Sequence, residues 1–249
     1  MPAAVLVPAA GRGERLGPGA PKALRALAGE PLLVHAVRAL AAAPSVGLVV
    51  VAAPADAVEQ VRALLAGVVG TTALEVVAGA GDRQGSVTAA LAAVPAEVDV
   101  VLVHDAARPL VPVALVEAVV AAVRSGAPAV VPGVPLSDTV KRVDADGVVV
   151  ETPERAHLRA VQTPQGFAAD VLRAAHAAAG GGPVATDDAG LVERLGHPVR
   201  VVPGSPDALK VTHPLDLVLA EAVLAGRRGA AHEAAALHQA AAVHPQEAP

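Results

Sequence analysis

Short runs of Val, Leu and Ala alternate along this chain with longer stretches whose apolar positions recur at a helical period. The short runs predict strands at 3–7, 48–52, 74–77, 98–103, 129–132 and 199–202. They are mostly apolar on both faces, the pattern of central strands covered by helices on two sides. The periodic stretches predict helices at 31–42, 55–65, 86–93, 112–125, 170–178, 187–195 and 214–225. Ser86 is positioned to cap the third of these, and Thr186-Asp187-Asp188 brings a hydroxyl and two carboxylates to the positive end of the sixth. Strand–helix repetition of this kind implies an α/β fold, a doubly wound and mostly parallel sheet with helices on both faces. Ligands then gather at the carboxyl ends of the strands.

One stretch breaks the rhythm. Between Leu136 and Glu151, two β-prone runs flank the turn Asp144-Ala145-Asp146-Gly147 and read as a projecting hairpin. Its open edges can be protected by a second subunit, so a homodimer through the 136–151 arm is expected. The alternative is a solvated surface hairpin.

Composition narrows the class of protein. Hydrophobic residues make up 53% of 249, yet Phe167 is the sole aromatic side chain, so many small and branched residues must build the core. This length supports one large domain, expected over 1–226 with the arm inserted. The remainder, 227–249, is Ala-rich with irregularly spaced His232, His238 and His244. It reads as a disordered or frayed-helical tail rather than a metal tract. A net charge of −5 and the lack of stacking aromatics argue against a nucleic-acid binder. Absent cysteine excludes disulfides and thiolate chemistry. No run approaches the roughly 18 apolar residues of a membrane span, and a cytoplasmic protein is expected.

Chemistry-bearing residues cluster at predicted strand ends. The first strand breaks into Pro8-Ala9-Ala10-Gly11-Arg12-Gly13-Glu14-Arg15-Leu16, followed by Pro21-Lys22. Such a small-residue loop can offer successive N–H groups to a phosphate chain, with Arg15 and Lys22 as mobile cations beside it. Its spacing is that of neither a P-loop nor a dinucleotide fingerprint. Taken alone, it is equally a tight strand-to-helix turn. His104-Asp105-Ala106-Ala107-Arg108-Pro109 ends another strand on the same rim. A carboxylate facing phosphates there has the chemistry to hold Mg²⁺, and a structural pair with Arg108 is the alternative. The loop Gly79-Ala80-Gly81-Asp82-Arg83-Gln84-Gly85-Ser86 lets backbone approach a flat base. Arg155, Gln162-Thr163-Pro164-Gln165, Thr186, Asp207 and Lys210 complete the rim. Lys210 is either a third phosphate cation or a solvated loop lysine.

These motifs occur in one order, together with Asp138-Thr139-Val140-Lys141 and Lys210-Val211-Thr212. From about residue 3 to 224 the chain resembles the 2-C-methyl-D-erythritol 4-phosphate cytidylyltransferase family of non-mevalonate isoprenoid biosynthesis. The resemblance implies a Rossmann-like domain that joins CTP to the methylerythritol phosphate and releases pyrophosphate, with Mg²⁺. By the family pattern Pro8, Ala9, Ala10, Gly11, Gly13, Ala80, Asp82, Arg83, Ser86 and Ala106 would bind the nucleotide. Arg15, Lys22 and Lys210 would be the catalytic cations. Asp105, Arg108, Thr139, Arg155, Thr163, Thr186 and Asp207 would meet the acceptor, partly across the dimer interface, with Asp105 also on the metal. Leu16 stands where Met is frequent and Ala80 where Gly is frequent, modest departures both. An attacking phosphate oxygen is already anionic, so no general base is required, and His104 reads as a structural hydrogen-bonder. Ribitol 5-phosphate cytidylyltransferase is the nearest rival reading, and a non-catalytic nucleotide-binding module the more distant one.

Overall fold

The computed structural model describes residues 2–11, 21–179 and 185–243, with side chains described to Gly229. Gly13 and Arg15 therefore lie outside the described residues. At the centre is β1 (Ala3–Pro8), flanked in parallel by β4 (Val46–Ala53) and β6 (Val100–Val103). Next to β4 runs β5 (Ala73–Ala78), also parallel. On the other side the sheet continues from β6 through β11 (Gln165–Ala168) to β7 (Ala129–Pro135). β11 is antiparallel to both of its neighbours, and β10 (Arg159–Val161) is antiparallel to β7. Parallel β12 (Val199–Pro203) also pairs with β7. The six expected strands are all present, within a few residues at their ends.

The sheet is mostly parallel, as expected, and its antiparallel members are β10 and β11. β11 goes unread because Gln165-Gly166-Phe167-Ala168 has neither Val-rich composition nor alternation. Position supplies what composition lacks: inserted between β6 and β7, it pairs on both edges. Phe167 is fully buried there.

Periodicity of two splits β1 between the layers. Ala3, Val5 and Val7 face a core shared with α1 (Leu32–Ala41), α2 (Val58–Leu65) and α4 (Val113–Arg124). Ala4 and Leu6 face the opposite core, with α3 (Arg83–Ala92), α5 (Ala169–Ala178) and α6 (Asp188–Arg194). Both faces of the sheet are thus covered, as a central Val-rich strand requires. Strand order reverses at β1, since the chain places β4 and β5 to one side and β6 to the other. Such a switch point opens a crevice beyond the carboxyl ends of the strands.

Two smaller features complete the frame. The short pair β2 (Ala26–Leu27) and β3 (Glu30–Pro31) precedes α1. The expected arm is a hairpin of β8 (Arg142–Val143) and β9 (Val149–Glu151), exposed throughout. The last helix, α7 (Pro214–Val243), runs well past its expected end at 225, so the stretch 227–243 is helical.

Candidate active site

The carboxyl ends of β1, β5 and β6 open onto one cavity of about 380 Å³. From β1 come Pro8, Ala9, Ala10 and Gly11. A Cβ on Gly11 would meet no atom of the described residues within 4 Å, so the backbone there is open to the cavity. Gly79 is different: a Cβ would stand 2.8 Å from that of Ala10 and 3.2 Å from the Ala53 carbonyl oxygen. Its bareness lets the β1 and β5 loops touch.

From the β5 loop, Ala80, Asp82, Arg83 and Ser86 face the same cavity. Here the expected cap is corrected. Helix α3 begins at Arg83, and Asp82 caps it by accepting from the Gly85 N–H at 2.7 Å. Ser86 lies within the first turn, where its hydroxyl accepts from the Ala80 N–H at 3.0 Å and donates to the Asp82 carbonyl at 2.8 Å. The loop's shape is thus fixed by two side chains that compensate its free backbone groups.

Cations and one carboxylate complete the wall. Lys22, in the 3-10 turn Lys22–Leu24, and Lys210 both line the cavity, as do Asp105 and Ala106 after β6. Lys210 Nζ donates to Asp105 Oδ2 at 2.6 Å, and Arg83 Nε lies 3.5 Å from Asp105 Oδ1. Burial alone would raise the Asp105 pKa, but Lys210 and Arg83 outweigh it and pull it to about 2. Asp105 is therefore anionic at neutral pH.

Beneath the wall a hydrogen-bond chain sets the Asp105 backbone. The Asp105 N–H donates to Thr163 Oγ1 at 3.0 Å. The Thr163 hydroxyl donates to His104 Nδ1 at 3.2 Å, and His104 Nε2 donates to the Arg108 carbonyl at 3.1 Å. A carbonyl can only accept, so this geometry puts the ring proton on Nε2. Burial pushes the His104 pKa down to about 4, so the ring is neutral and serves as a strut rather than a base.

Not every residue expected at the site lines this cavity. Arg108 does not face the cavity. It is buried, with Nη1 donating to the Ala208 carbonyl at 2.6 Å and Nη2 to the Val161 carbonyl at 3.2 Å. This guanidinium ties three segments together, while its Nε is buried with no hydrogen-bond partner among the described residues. Thr163 is likewise buried under the wall rather than lining it. Asp207 is held by Arg227 of α7, at 2.7 Å from Nη2, which also donates to the Leu110 carbonyl at 2.8 Å. Thr186 lines a separate hollow of about 100 Å³ that shares Asp82 and Arg83 with the main cavity. Thr139 lies in the arm and Arg155 just after it, neither among the residues lining the cavity, and Arg155 Nη1 donates to the Ser137 carbonyl at 2.6 Å.

Sequence reasoning passes over His176, and it reads Asp188 only as a helix-start carboxylate and Gln165 only as part of the rim. Asp188 is fully buried, with Oδ2 2.7 Å from Arg83 Nη1. His176 faces its other oxygen at 3.0 Å. Gln165 clamps the start of α6, donating to Asp187 Oδ2 at 2.7 Å and accepting from the Ala189 N–H at 3.2 Å. Asp188 is legible as a helix-start carboxylate, but nothing in the sequence links it to Arg83.

A doubly wound sheet whose switch-point crevice carries a small-residue loop and two lysines defines a nucleotide-binding class of α/β proteins. The chain belongs to one family within it: the family model for IspD, 2-C-methyl-D-erythritol 4-phosphate cytidylyltransferase, matches residues 3–226. The chain is 60% identical over 233 residues to the protein of that name from Streptomyces avermitilis, covering 90% of this chain and 92% of that one. Its namesake from Saccharopolyspora erythraea is 57% identical over 228 residues, covering 90% and 100%. The crystal structure of 2-C-methyl-D-erythritol 4-phosphate cytidylyltransferase from Thermus thermophilus superposes with a TM-score of 0.73 at 38% identity, covering 90% of this chain and 98% of that one.

Proposed function

We propose that this enzyme transfers the cytidylyl group of CTP to 2-C-methyl-D-erythritol 4-phosphate, giving 4-diphosphocytidyl-2-C-methyl-D-erythritol and pyrophosphate. The observation that carries this reading is the convergence of Gly11, Lys22, Arg83, Asp105 and Lys210 on one cavity at the sheet's switch point. An acceptor phosphate oxygen attacks the α-phosphorus of CTP, and the bond to the departing pyrophosphate breaks. The nucleophile is already an anion, so the enzyme's task is to bring two polyanions together and spread the developing charge. Lys22 and Lys210, which both line the cavity, fit that role, and Arg15 joins them by the family pattern. The Ala80–Ser86 loop, held by its own side chains, presents backbone groups to the base.

Magnesium belongs to the same reading. Among the described residues no group of three or more His, Asp or Glu could hold a bare ion. One hard, ionised carboxylate does suit an ion whose remaining ligands are phosphate oxygens and water. Asp105 would hold it, and the ion would neutralise phosphate charge. A homodimer is also part of the proposal, with the 136–151 arm as its contact. Val143, Val148, Val149 and Val150 stand about half exposed on this arm, the kind of surface a second copy would cover. Thr139 and Arg155 would then serve the partner's acceptor site. No helix among the described residues is long and apolar enough to cross a membrane, and a cytoplasmic location completes the reading.

Pyrophosphate release from CTP, measured with methylerythritol phosphate and ribitol 5-phosphate in parallel, tests the assignment. The expected result is turnover with the first and little with the second. Preference for ribitol phosphate would replace the acceptor, and no release with either would favour a binding module.

A further inference from the structure

Helix starts favour negative charge, because their unpaired N–H groups carry a partial positive charge. Arg83 breaks that rule as the first residue of α3, and the N-cap carboxylate beside it, Asp82, is turned to the Gly85 N–H instead. A cation there needs outside compensation, and the fold supplies it from the start of another helix. Asp188 opens α6 and is completely buried, and its Oδ2 approaches Arg83 Nη1 to 2.7 Å. This oxygen finds no aligned hydrogen-bond donor among the described residues. The Arg83 charge is therefore what offsets its desolvation. The other carboxylate oxygen is 3.0 Å from His176 Nε2, and His176 Nδ1 is 2.9 Å from Thr88 Oγ1 on α3 itself. His176 and Asp188 thus brace α3 from α5 and α6 and hold the guanidinium by its far nitrogen. The near nitrogen, Nε, lies 3.5 Å from Asp105 Oδ1. Arg83 stands between the main cavity and the Thr186 hollow, lining both.

We propose that Asp188, braced by His176, is a positioning residue that fixes the Arg83 guanidinium as the partition between these two hollows and keeps Asp105 aimed into the larger one. The proposal rests on the cytidylyltransferase reading for its activity assay, but not for its logic. Burial of Arg83 works against its charge, and Asp188 and Asp105 together more than restore it.

A double-mutant cycle tests this with Asp188→Asn, Arg83→Gln and the pair, reading CTP affinity by calorimetry, kcat and KM for each substrate, and melting temperature. Asp188→Asn should lower kcat/KM about tenfold or more, the scale of removing one partner from a buried charge pair. In the Arg83→Gln background the same change should lower it less than about twofold, because there is no guanidinium left to misplace. Arg83→Lys, which keeps the charge but loses the fork, should resemble Arg83→Gln. Equal losses in both backgrounds would overturn the proposal and leave Asp188 as a packing residue. If Asp188→Asn does not fold, His176→Gln takes its place in the cycle, with the same expected dependence on Arg83. A wild-type enzyme that binds CTP but turns over neither polyol phosphate would refute the functional reading alone, and CTP affinity would still report the coupling.

Discussion

Two ion pairs in this molecule have the same length and opposite standing. Arg83–Asp188 at the cavity wall and Arg142–Glu151 on the arm both close to 2.7 Å. The Asp188 side chain is fully buried, whereas those of Arg142 and Glu151 are 65% and 49% exposed. Water screens the arm pair and would replace either partner at little cost, so it contributes about 0–1 kcal/mol. Asp188 has no water to fall back on, and losing its partner leaves a buried charge uncompensated. Distance alone thus says little about an ion pair. Burial decides whether it fixes geometry, and the cavity wall is where geometry matters.

The sharpest break in this comparison is Asp188→Ala against Glu151→Ala. The first removes a charge that both His176 and Arg83 face, and it should destabilise the fold by about 3–5 kcal/mol in chemical denaturation. A cost under about 1 kcal/mol would put the two pairs on the same footing. Next comes Lys22→Ala, which should lower kcat about a hundred- to a thousandfold while leaving the melting temperature nearly unchanged. Near-native turnover would remove Lys22 from the cationic wall.

Acid should distinguish the regions too. The Asp105 pKa is depressed from its ordinary 3.8 to about 2. A depressed folded pKa contributes stability that is present above about pH 4 and is lost as pH falls toward about 2. Asp105→Asn should flatten the acid limb of the stability profile in that window, and an unchanged limb would count against the Lys210 and Arg83 pairing. The smallest effects belong to the arm. Glu151→Ala should shift stability by less than about 1 kcal/mol. Val149→Asp should leave the fold intact, yet it should shift sedimentation toward the monomer. A mass that stays unchanged across concentration in both proteins would leave the arm a solvated hairpin.

Much of the frame is legible in the residues because it follows from local pattern. Val-rich runs apolar on both faces mark the parallel strands, and Asp187 caps α6 where a hydroxyl and two carboxylates signal a helix start. The cap of α3 lies four residues before its expected place, at Asp82 rather than Ser86. Both residues have capping side chains, and the choice depends on which turn closes first. β11 escapes a local reading for a deeper reason: Gln165 and Gly166 are polar and small, and their strand exists because β6 and β7 pair with it on either side.

The cavity divides in the same way. Strand-end glycines, Lys22, Asp105 and Lys210 can be picked out by type and spacing, because phosphate chemistry demands small backbone and positive charge wherever it occurs. Whether Arg108, Thr163 and Asp207 face a ligand or brace the wall cannot be read that way. Arg108 reaches Ala208, 100 positions along the chain, and Thr163 reaches Asp105 from 58 positions away. Sequence by itself determined the layered α/β architecture, the rim on which chemistry collects and the family. Tertiary structure alone decided which polar groups are desolvated and against whom. That is a property of long-range packing, and it leaves the same residue type lining the cavity in one place and bracing its wall in another.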